Sequence, residues 1–422
     1  MSSNYTIIEK CLLCGNKTYP ILELGETALA NEYPTYPTKQ DVFPLTLTQC
    51  RDKVDCGHIQ LNCIVDQKRL YQNYSYLSGT SFANHEYFRN YANQINEMFN
   101  LDDSTLIFEI GSNDGTLLEK FKEINLNHLI GIDPAENICE IANNKNIQTI
   151  SEFFNESTAN KLSRMWEFRN SAKIVIANNV FAHNSDLETI VKGIKKILRK
   201  DGAFVFEVNY AIDILEKGNL STIYHEHLHY HMLKPLNYFF GKMNLSIFHS
   251  ERVCGQGGNI RVFVKHKDSD ISTIIKEGYN LDIENHLNTL KNENNIDDKI
   301  EQFKQIIETQ KNNIHELFSL LKKENKSIAM FGAPAKITTM FSHLRMDQTI
   351  VKYVVEENAL KINKLTPGTH IKIVGVEYMK NNPVDYMLIG AWNFADSIIE
   401  NNKYFTGKWI IPMPNLKVID EI

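Results

Sequence analysis

No apolar run in this chain approaches the roughly 20 residues that a membrane-spanning helix requires. Nor does the opening Met1 to Lys10 carry a basic stretch leading into an apolar one, so no export signal is read there and a cytoplasmic location is expected. A basic excess is missing too: 45 Lys and Arg against 51 Asp and Glu leave a formal net charge of −6. That balance argues against a dedicated nucleic-acid binder, so neither nucleic acid nor membrane is an expected partner. What is present is ordinary globular material, 43% hydrophobic and 23% charged. A length of 422 residues exceeds what one hydrophobic core supports, and two or three domains are expected.

The seven cysteines are unevenly spread: Cys11, Cys14, Cys50, Cys56 and Cys63 come early, while Cys139 and Cys254 stand alone. Without an export signal, such clustering indicates metal rather than disulfides. Cys11-Leu-Leu-Cys14-Gly has the spacing of a zinc knuckle, and Cys50 with Cys56 would complete a Cys₄ tetrahedron. The second pair is widely spaced, so His58 or Cys63 is an alternative for one of its ligands. Four thiolates leave no open position for water, which makes the Zn²⁺ structural. Residues 1–70 show little helical periodicity and bury too little apolar surface to stand unaided, so a metal-stapled module is expected there.

A second module is expected over 71–267. Leu106-Ile-Phe-Glu109-Ile predicts a buried strand, Gly111-Ser-Asn113-Asp114-Gly115 a turn, and Thr116 to Ile124 a helix. Leu129-Ile-Gly-Ile-Asp133, Ile174-Val-Ile-Ala and Ala203-Phe-Val-Phe-Glu-Val predict further strands, and their alternation with helices implies a parallel, doubly wound sheet. A glycine-rich turn after a strand lets a ligand approach the backbone. The middle glycine of Gly-x-Gly-x-x-Gly is absent, which disfavours NAD. An acid near the strand end followed by Gly-x-x-x-Gly resembles the class I S-adenosylmethionine (SAM)-dependent methyltransferases, with Asp133 placed to accept hydrogen bonds from the ribose. A bare structural turn is the alternative.

Residues 268–326 are polar with apolar residues at helical spacing, predicting one or two connecting helices or an oligomer contact. Monomer and dimer both remain open. Residues 327–422 again run strand, turn, helix, strand from Ser327-Ile-Ala-Met-Phe-Gly-Ala-Pro-Ala-Lys336 through Tyr353-Val-Val, Ile371-Lys-Ile-Val and Asp385-Tyr-Met-Leu-Ile-Gly. No sequence repeat links this smaller α/β unit to the first.

Tyr224-His-Glu-His-Leu-His-Tyr-His231 places four histidines in seven residues, more than packing readily explains. His225-Glu226-x-x-His229 formally matches a zinc-protease string, but that needs a helix, a third ligand and a peptide cleft. A solvated polar turn is the plain alternative. Histidine titrates near neutrality and is the commonest group for proton abstraction, so an acid–base site is the expectation.

Taken in order, the Cys-x-x-Cys module, Glu109-Ile-Gly-Ser-Asn-Asp-Gly, Ala177-Asn178-Asn179-Val-Phe-Ala-His183, Tyr224-His-Glu-His227 and Phe331-Gly-Ala-Pro-Ala-Lys336 resemble the sugar C-methyltransferases of mycarose, noviose and tetronitrose biosynthesis. The resemblance implies an α/β chain with an N-terminal zinc-binding module, a central Rossmann-like SAM domain and a smaller C-terminal Rossmann-like domain. It implies methyl transfer from SAM to the carbon beside the keto group of a nucleotide-linked 4-keto-6-deoxysugar. By the same resemblance His227 is the base, Tyr224 a hydrogen-bonding stabiliser and Glu226 an orienting residue, with His183 and Tyr76 nearby. Glu109, Gly111, Asn113, Asp114, Gly115, Asp133, Asn178 and Asn179 would hold SAM. Ala333, Lys336, Trp392 and Asn393 would hold the sugar nucleotide, with amides at a helix start and Lys336 cradling the diphosphate. An O-methyltransferase and a non-catalytic zinc/SAM-binding scaffold are the other readings carried forward.

Overall fold

The computed structural model describes residues 5–51, 56–71, 77–80, 82–165, 171–253 and 258–420. The chain opens with β1 (Tyr5–Ile7), β2 (Thr18–Thr27), β3 (Phe43–Cys50), β4 (Ile59–Leu61) and β5 (Cys63–Val65). β2, β3 and β4 form an antiparallel ribbon, and β1 pairs with β5. Alternation of Phe43, Leu45 and Leu47 buries one face of β3.

Next come β6 (Leu106–Ile110), β7 (Leu129–Asp133), β8 (Thr149–Ser151), β9 (Ala172–Ile176) and β10 (Leu198–Asn209), all parallel where they pair. β10 starts earlier than its apolar pattern because Leu198 pairs with Ala172 across an irregularity before pairing resumes at Ala203. Helices cover these strands on both faces, which is why their residues form continuous apolar runs. β11 (His229–Tyr230) leaves this sheet and joins β4, with His229 opposite Gln60. β12 (Leu245–Val253) and β13 (Asn259–His266) close the sheet antiparallel, in the order β12-β13-β10-β9-β6-β7-β8. The strand order reverses between β6 and β9, so their carboxyl ends border a crevice.

Helix Ile296–Lys323 is 28 residues, about 42 Å long, and its buried stripe serves two cores. Ile300, Phe303 and Ile307 pack into the central core, whereas Ile314, Phe318 and Leu321 pack into the C-terminal one. The last sheet holds β14 (Ile328–Phe331), β15 (Val351–Val355), β16 (Ile373–Val374), β17 (Tyr386–Ile389), β18 (Lys408–Ile411) and β19 (Lys417–Ile419). Its order is β16-β15-β14-β17-β18-β19, parallel except for β19. β16 is shorter than Ile371-Lys-Ile-Val suggested, because the Ile371 amide turns to the Thr366 hydroxyl at 2.8 Å. A second crevice lies where this order reverses, between β14 and β17. No helix among the described residues is long and apolar enough to cross a membrane.

Candidate active site

At the first crevice the chain turns sharply out of β6. Gly111 has φ of +68°, and a Cβ there would lie 2.4 Å from Val180 Cγ2, so only glycine fits against the loop after β9. The Asp133 carboxylate holds the turn: Oδ2 accepts from the Asn113 amide at 3.0 Å and Oδ1 from the Ala135 amide at 3.0 Å. Burial raises the pKa of this carboxyl. Asn113 Oδ1 accepts from the Ser78 amide at 2.9 Å. Asp114 takes the Gly79 amide at 3.1 Å, the Thr116 hydroxyl at 2.6 Å and Lys145 at 3.2 Å. Asn179, itself left-handed at φ 54°, donates its amide to Glu207 at 2.7 Å.

Among the described residues Glu109, Ser112 and Asn178 each keep a buried polar atom without a partner. Glu109 is buried, its Oε2 has no partner among the described residues, and burial with the nearby Asp114 and Asp133 charges pushes its pKa well up. Asn178 Oδ1 accepts from the Glu207 amide at 3.1 Å, while its buried Nδ2 has no partner among the described residues. Buried, unsatisfied polar atoms beside the Gly111 turn are what a nucleoside cofactor such as SAM needs, since buried polar groups are otherwise paired.

The histidine-rich segment is buried throughout, not a solvated turn. Three of its histidines are packing groups, contrary to expectation. His225 Nε2 meets the Pro44 carbonyl at 3.1 Å, His229 Nε2 the Asn184 carbonyl at 2.9 Å, and His231 Nε2 the Phe181 carbonyl at 3.1 Å. Burial lowers their pKa values to about 4, 4 and 3. The segment His225–His229 is not helical and its two imidazoles turn to different carbonyls, which removes the protease geometry.

His227 differs. Its Nδ1 lies 2.8 Å from the Thr222 carbonyl, which can only accept, so Nδ1 carries the proton and Nε2 keeps a lone pair. That lone pair meets the Tyr224 hydroxyl at 2.9 Å. Burial, then His183, then Lys336 hold the ring well below histidine's usual pKa, so it is neutral near pH 7. The His183 ring stands perpendicular to it at 5.1 Å, with its own pKa lowered by burial to about 4. His183 donates its amide to the Val180 carbonyl at 2.9 Å, and Val180 is the residue against Gly111. One short turn, 180–183, therefore touches both the glycine loop and the His227 ring.

Glu226 Oε1 accepts from Asn31 at 2.7 Å, while Oε2 is buried without a partner among the described residues. Burial pushes this carboxyl up to about 7. The Tyr71 hydroxyl lies 2.9 Å from His183 Nδ1 and 3.3 Å from the Glu226 carbonyl. Sequence reasoning missed Asn31 and Tyr71, which have no motif around them and reach the site only through tertiary packing. Tyr76 and Cys254 lie outside the described residues.

The second crevice adjoins the same segment. Thr339 Oγ1 donates to the Ile223 carbonyl at 2.6 Å, and Trp392 Nε1 lies 3.4 Å from Ser221 Oγ. Lys336 Nζ sits 5.9 Å from the Trp392 ring centre, and burial lowers its pKa to about 8. Asn393 follows Trp392 in a short 3₁₀ turn. The expected amide cradle is reduced, because the Ala333 amide is taken by Glu356 Oε2 at 2.9 Å and Pro334 has no N–H.

In the N-terminal module the four sulfurs of Cys11, Cys14, Cys50 and Cys56 lie within 4.8 Å of one another. The Cys11–Cys56 and Cys14–Cys50 separations are 3.6 and 3.4 Å. A tetrahedral ion with Zn–S bonds of about 2.3 Å needs sulfur separations of about 3.8 Å, so the set fits zinc. Hydrogen bonding from Cys56 draws the Cys11 thiol down to about 6, towards the thiolate a metal requires. The alternatives fall away: His58 faces His229 at 2.9 Å, and Cys63 sits with Leu29 and Phe43 in a small core.

Family profiles match in three stretches: a zinc-binding domain over residues 11–71, a methyltransferase domain over 83–250 and a C-methyltransferase C-terminal domain over 255–414. The C-methyltransferase NovU of Streptomyces niveus is 27% identical over 425 residues, spanning 98% of this chain and 97% of that protein. Among solved structures, the PH0226 protein of Pyrococcus horikoshii OT3 is 11% identical, with a TM-score of 0.36 over 47% of this chain and 98% of that one. A SAM-dependent methyltransferase of Aquifex aeolicus is also 11% identical, with a TM-score of 0.33 over 42% of this chain and 88% of that one. The profiles and NovU align with the architecture from the cysteine knuckle to the second α/β sheet, and this chain is a SAM-dependent C-methyltransferase similar to NovU.

Proposed function

We propose that the chain methylates the carbon beside the keto group of a nucleotide-linked 4-keto-6-deoxysugar, with His227 as the base. The observation that carries this reading is the fixed His227 tautomer, whose basic Nε2 faces the Tyr224 hydroxyl. When bound, SAM supplies an electrophilic methyl group. Glu109, Gly111, Asn113, Asp114, Gly115, Asp133, Asn178 and Asn179 form its crevice, with Glu109 Oε2 and Asn178 Nδ2 free to meet it. A substrate ketone draws the Tyr224 proton from Nε2 to its own oxygen. The released lone pair then removes the neighbouring C–H proton, and the phenol steadies the enolate oxygen. Glu226 and His183 brace the ring and shape the cavity, and Tyr76 belongs near them by resemblance. Ala333, Lys336, Trp392 and Asn393 hold the sugar nucleotide. Residues 1–70 act as the zinc module, 71–267 as the SAM domain, 268–326 as the connector and 327–422 as the nucleotide-side domain.

The test is to incubate the protein with SAM and a panel of keto-sugar nucleotides, then locate the new methyl by NMR. A methyl on a carbon that has lost its hydrogen supports the reading. A methyl on oxygen, or no product with any ketone, overturns it.

A further inference from the structure

The turn 180–184, which carries His183 and sets Val180 against Gly111, is shaped from outside its own sheet. The Phe181 carbonyl accepts from His231 Nε2 at 3.1 Å, and the Ala182 carbonyl from the Leu228 and His229 amides at 2.7 and 3.2 Å. The Asn184 carbonyl accepts from His229 Nε2 at 2.9 Å. All these donors lie on 228–231, the segment that holds β11. That strand is an addition to the zinc module's sheet: His229 pairs with Gln60, Tyr230 pairs with Ile59, and the Leu61 amide donates to the Leu228 carbonyl at 2.9 Å. The Gln60 side chain is tied in turn to the cysteine knuckle, accepting from the Leu12 amide at 2.8 Å and donating to the Lys10 carbonyl at 3.0 Å. The turn is therefore cast against the zinc module.

A side chain of that module reaches the same clamp directly. His58 is fully buried, two residues after Cys56, and its carbonyl accepts the Cys50 amide at 2.9 Å. The Asn184 carbonyl can only accept, so in the neutral His229 ring Nε2 carries the proton and Nδ1 keeps a lone pair. His58 Nε2, 2.9 Å from that Nδ1, is then the donor, and His58 Nδ1 is left buried with no partner among the described residues. The His229 and His231 rings lie 5.1 and 5.5 Å from the His58 ring. A hydrogen-bonded line thus runs from the Cys50 amide through His58 and His229 to Asn184, the neighbour of His183. Filling the junction asks only for an apolar side chain, whereas fixing the His229 ring asks for a donor.

We propose that His58 is a positioning residue for methyl transfer: by donating to His229 it fixes the ring that holds Asn184, and so lets the zinc module set the turn that bears His183. SAM's polar partners Glu109 and Asn178 lie ahead of this turn, so His58 governs turnover rather than cofactor affinity. The role holds for any acceptor and depends neither on the ketone nor on His227 as base.

The test compares the zinc-loaded full chain with His58→Leu, which keeps bulk and loses the donor, and His58→Gln, whose amide nitrogen can stand in for imidazole Nε2. Amide hydrogen–deuterium exchange, read by mass spectrometry without substrate, should quicken at least about tenfold across 180–184 and 228–231 in His58→Leu and keep its wild-type rate in His58→Gln. With a keto-sugar nucleotide that the protein methylates, kcat should fall at least about tenfold in His58→Leu and return in His58→Gln. The KM for SAM and the zinc content should hold in both variants. The proposal is overturned if His58→Leu keeps wild-type exchange or kcat, if His58→Gln falls with it, or if zinc is lost and exchange quickens throughout. Should His58→Leu not fold, wild type stripped of zinc by a chelator decides: exchange must quicken at 180–184 while β6 stays protected. No change there, or exposure of β6 as well, overturns the proposal. The exchange measurement needs no acceptor, so it still decides if the keto-sugar reading is wrong.

Discussion

The two crevices share a strand order and an acid clasp, yet their first loops differ. The central crevice leaves Glu109 and Asn178 with buried polar atoms that have no partner among the described residues, and packs Gly111 against Val180. The C-terminal loop has Pro334 where an amide would be and surrounds the gap with Lys336, Lys361 and Trp392. Topology sets where a ligand lies, and loop chemistry sets which ligand. Buried hydrogen bonds suit the nucleoside end of SAM at the first loop, whereas cations suit a diphosphate at the second. The segment 221–227 touches both, through Ser221 on Trp392 and His227 beside His183.

The sharpest way to break this division is His227→Asn. Methyl transfer should fall by at least about 10³-fold while SAM and nucleotide affinities hold, because only proton abstraction is removed. Loss of either ligand would show that the ring props up a crevice instead. Cys14→Ser should come next: zinc content and melting temperature fall together, measured by metal analysis and calorimetry, with SAM affinity retained in the folded fraction. Gly111→Ala should then weaken SAM binding tenfold or so, since its Cβ would meet Val180 and an L-residue at positive φ costs about 1–2 kcal/mol. Nucleotide binding should be untouched; a matching loss there would merge the two sites.

The smallest expected effect is in the pH profile of kcat/KM. Burial lowers the His227 pKa, so the acid limb should fall below histidine's ordinary value of about 6.5. Deprotonation of Lys336 should weaken acceptor binding above about pH 8, and Lys336→Ala should raise KM and remove that limb. An alkaline limb that survives the substitution would assign it elsewhere.

Local features were legible in the sequence. The cysteine knuckle, the glycine loop after a buried strand and the acid ending the next strand are each set by neighbours a few residues apart. Contacts made by packing were not. Nothing around Asn31 announces its bond to Glu226, and nothing around Tyr33 announces its place at Ala333, a residue 300 positions away. The histidine cluster misled for a physical reason. Imidazoles suit buried carbonyl-rich junctions as neutral donors, and β11 pairing with β4 makes such a junction out of His225, His229 and His231. His227 differs in having its Nε2 lone pair turned to the Tyr224 hydroxyl and its ring against His183.

That basic atom is most directly tested without SAM. In deuterated water, the wild-type protein should wash deuterium into the carbon beside the ketone of its sugar nucleotide, and His227→Asn should not. Equal exchange by both proteins, or none by a wild type that methylates the same sugar, would contradict the account.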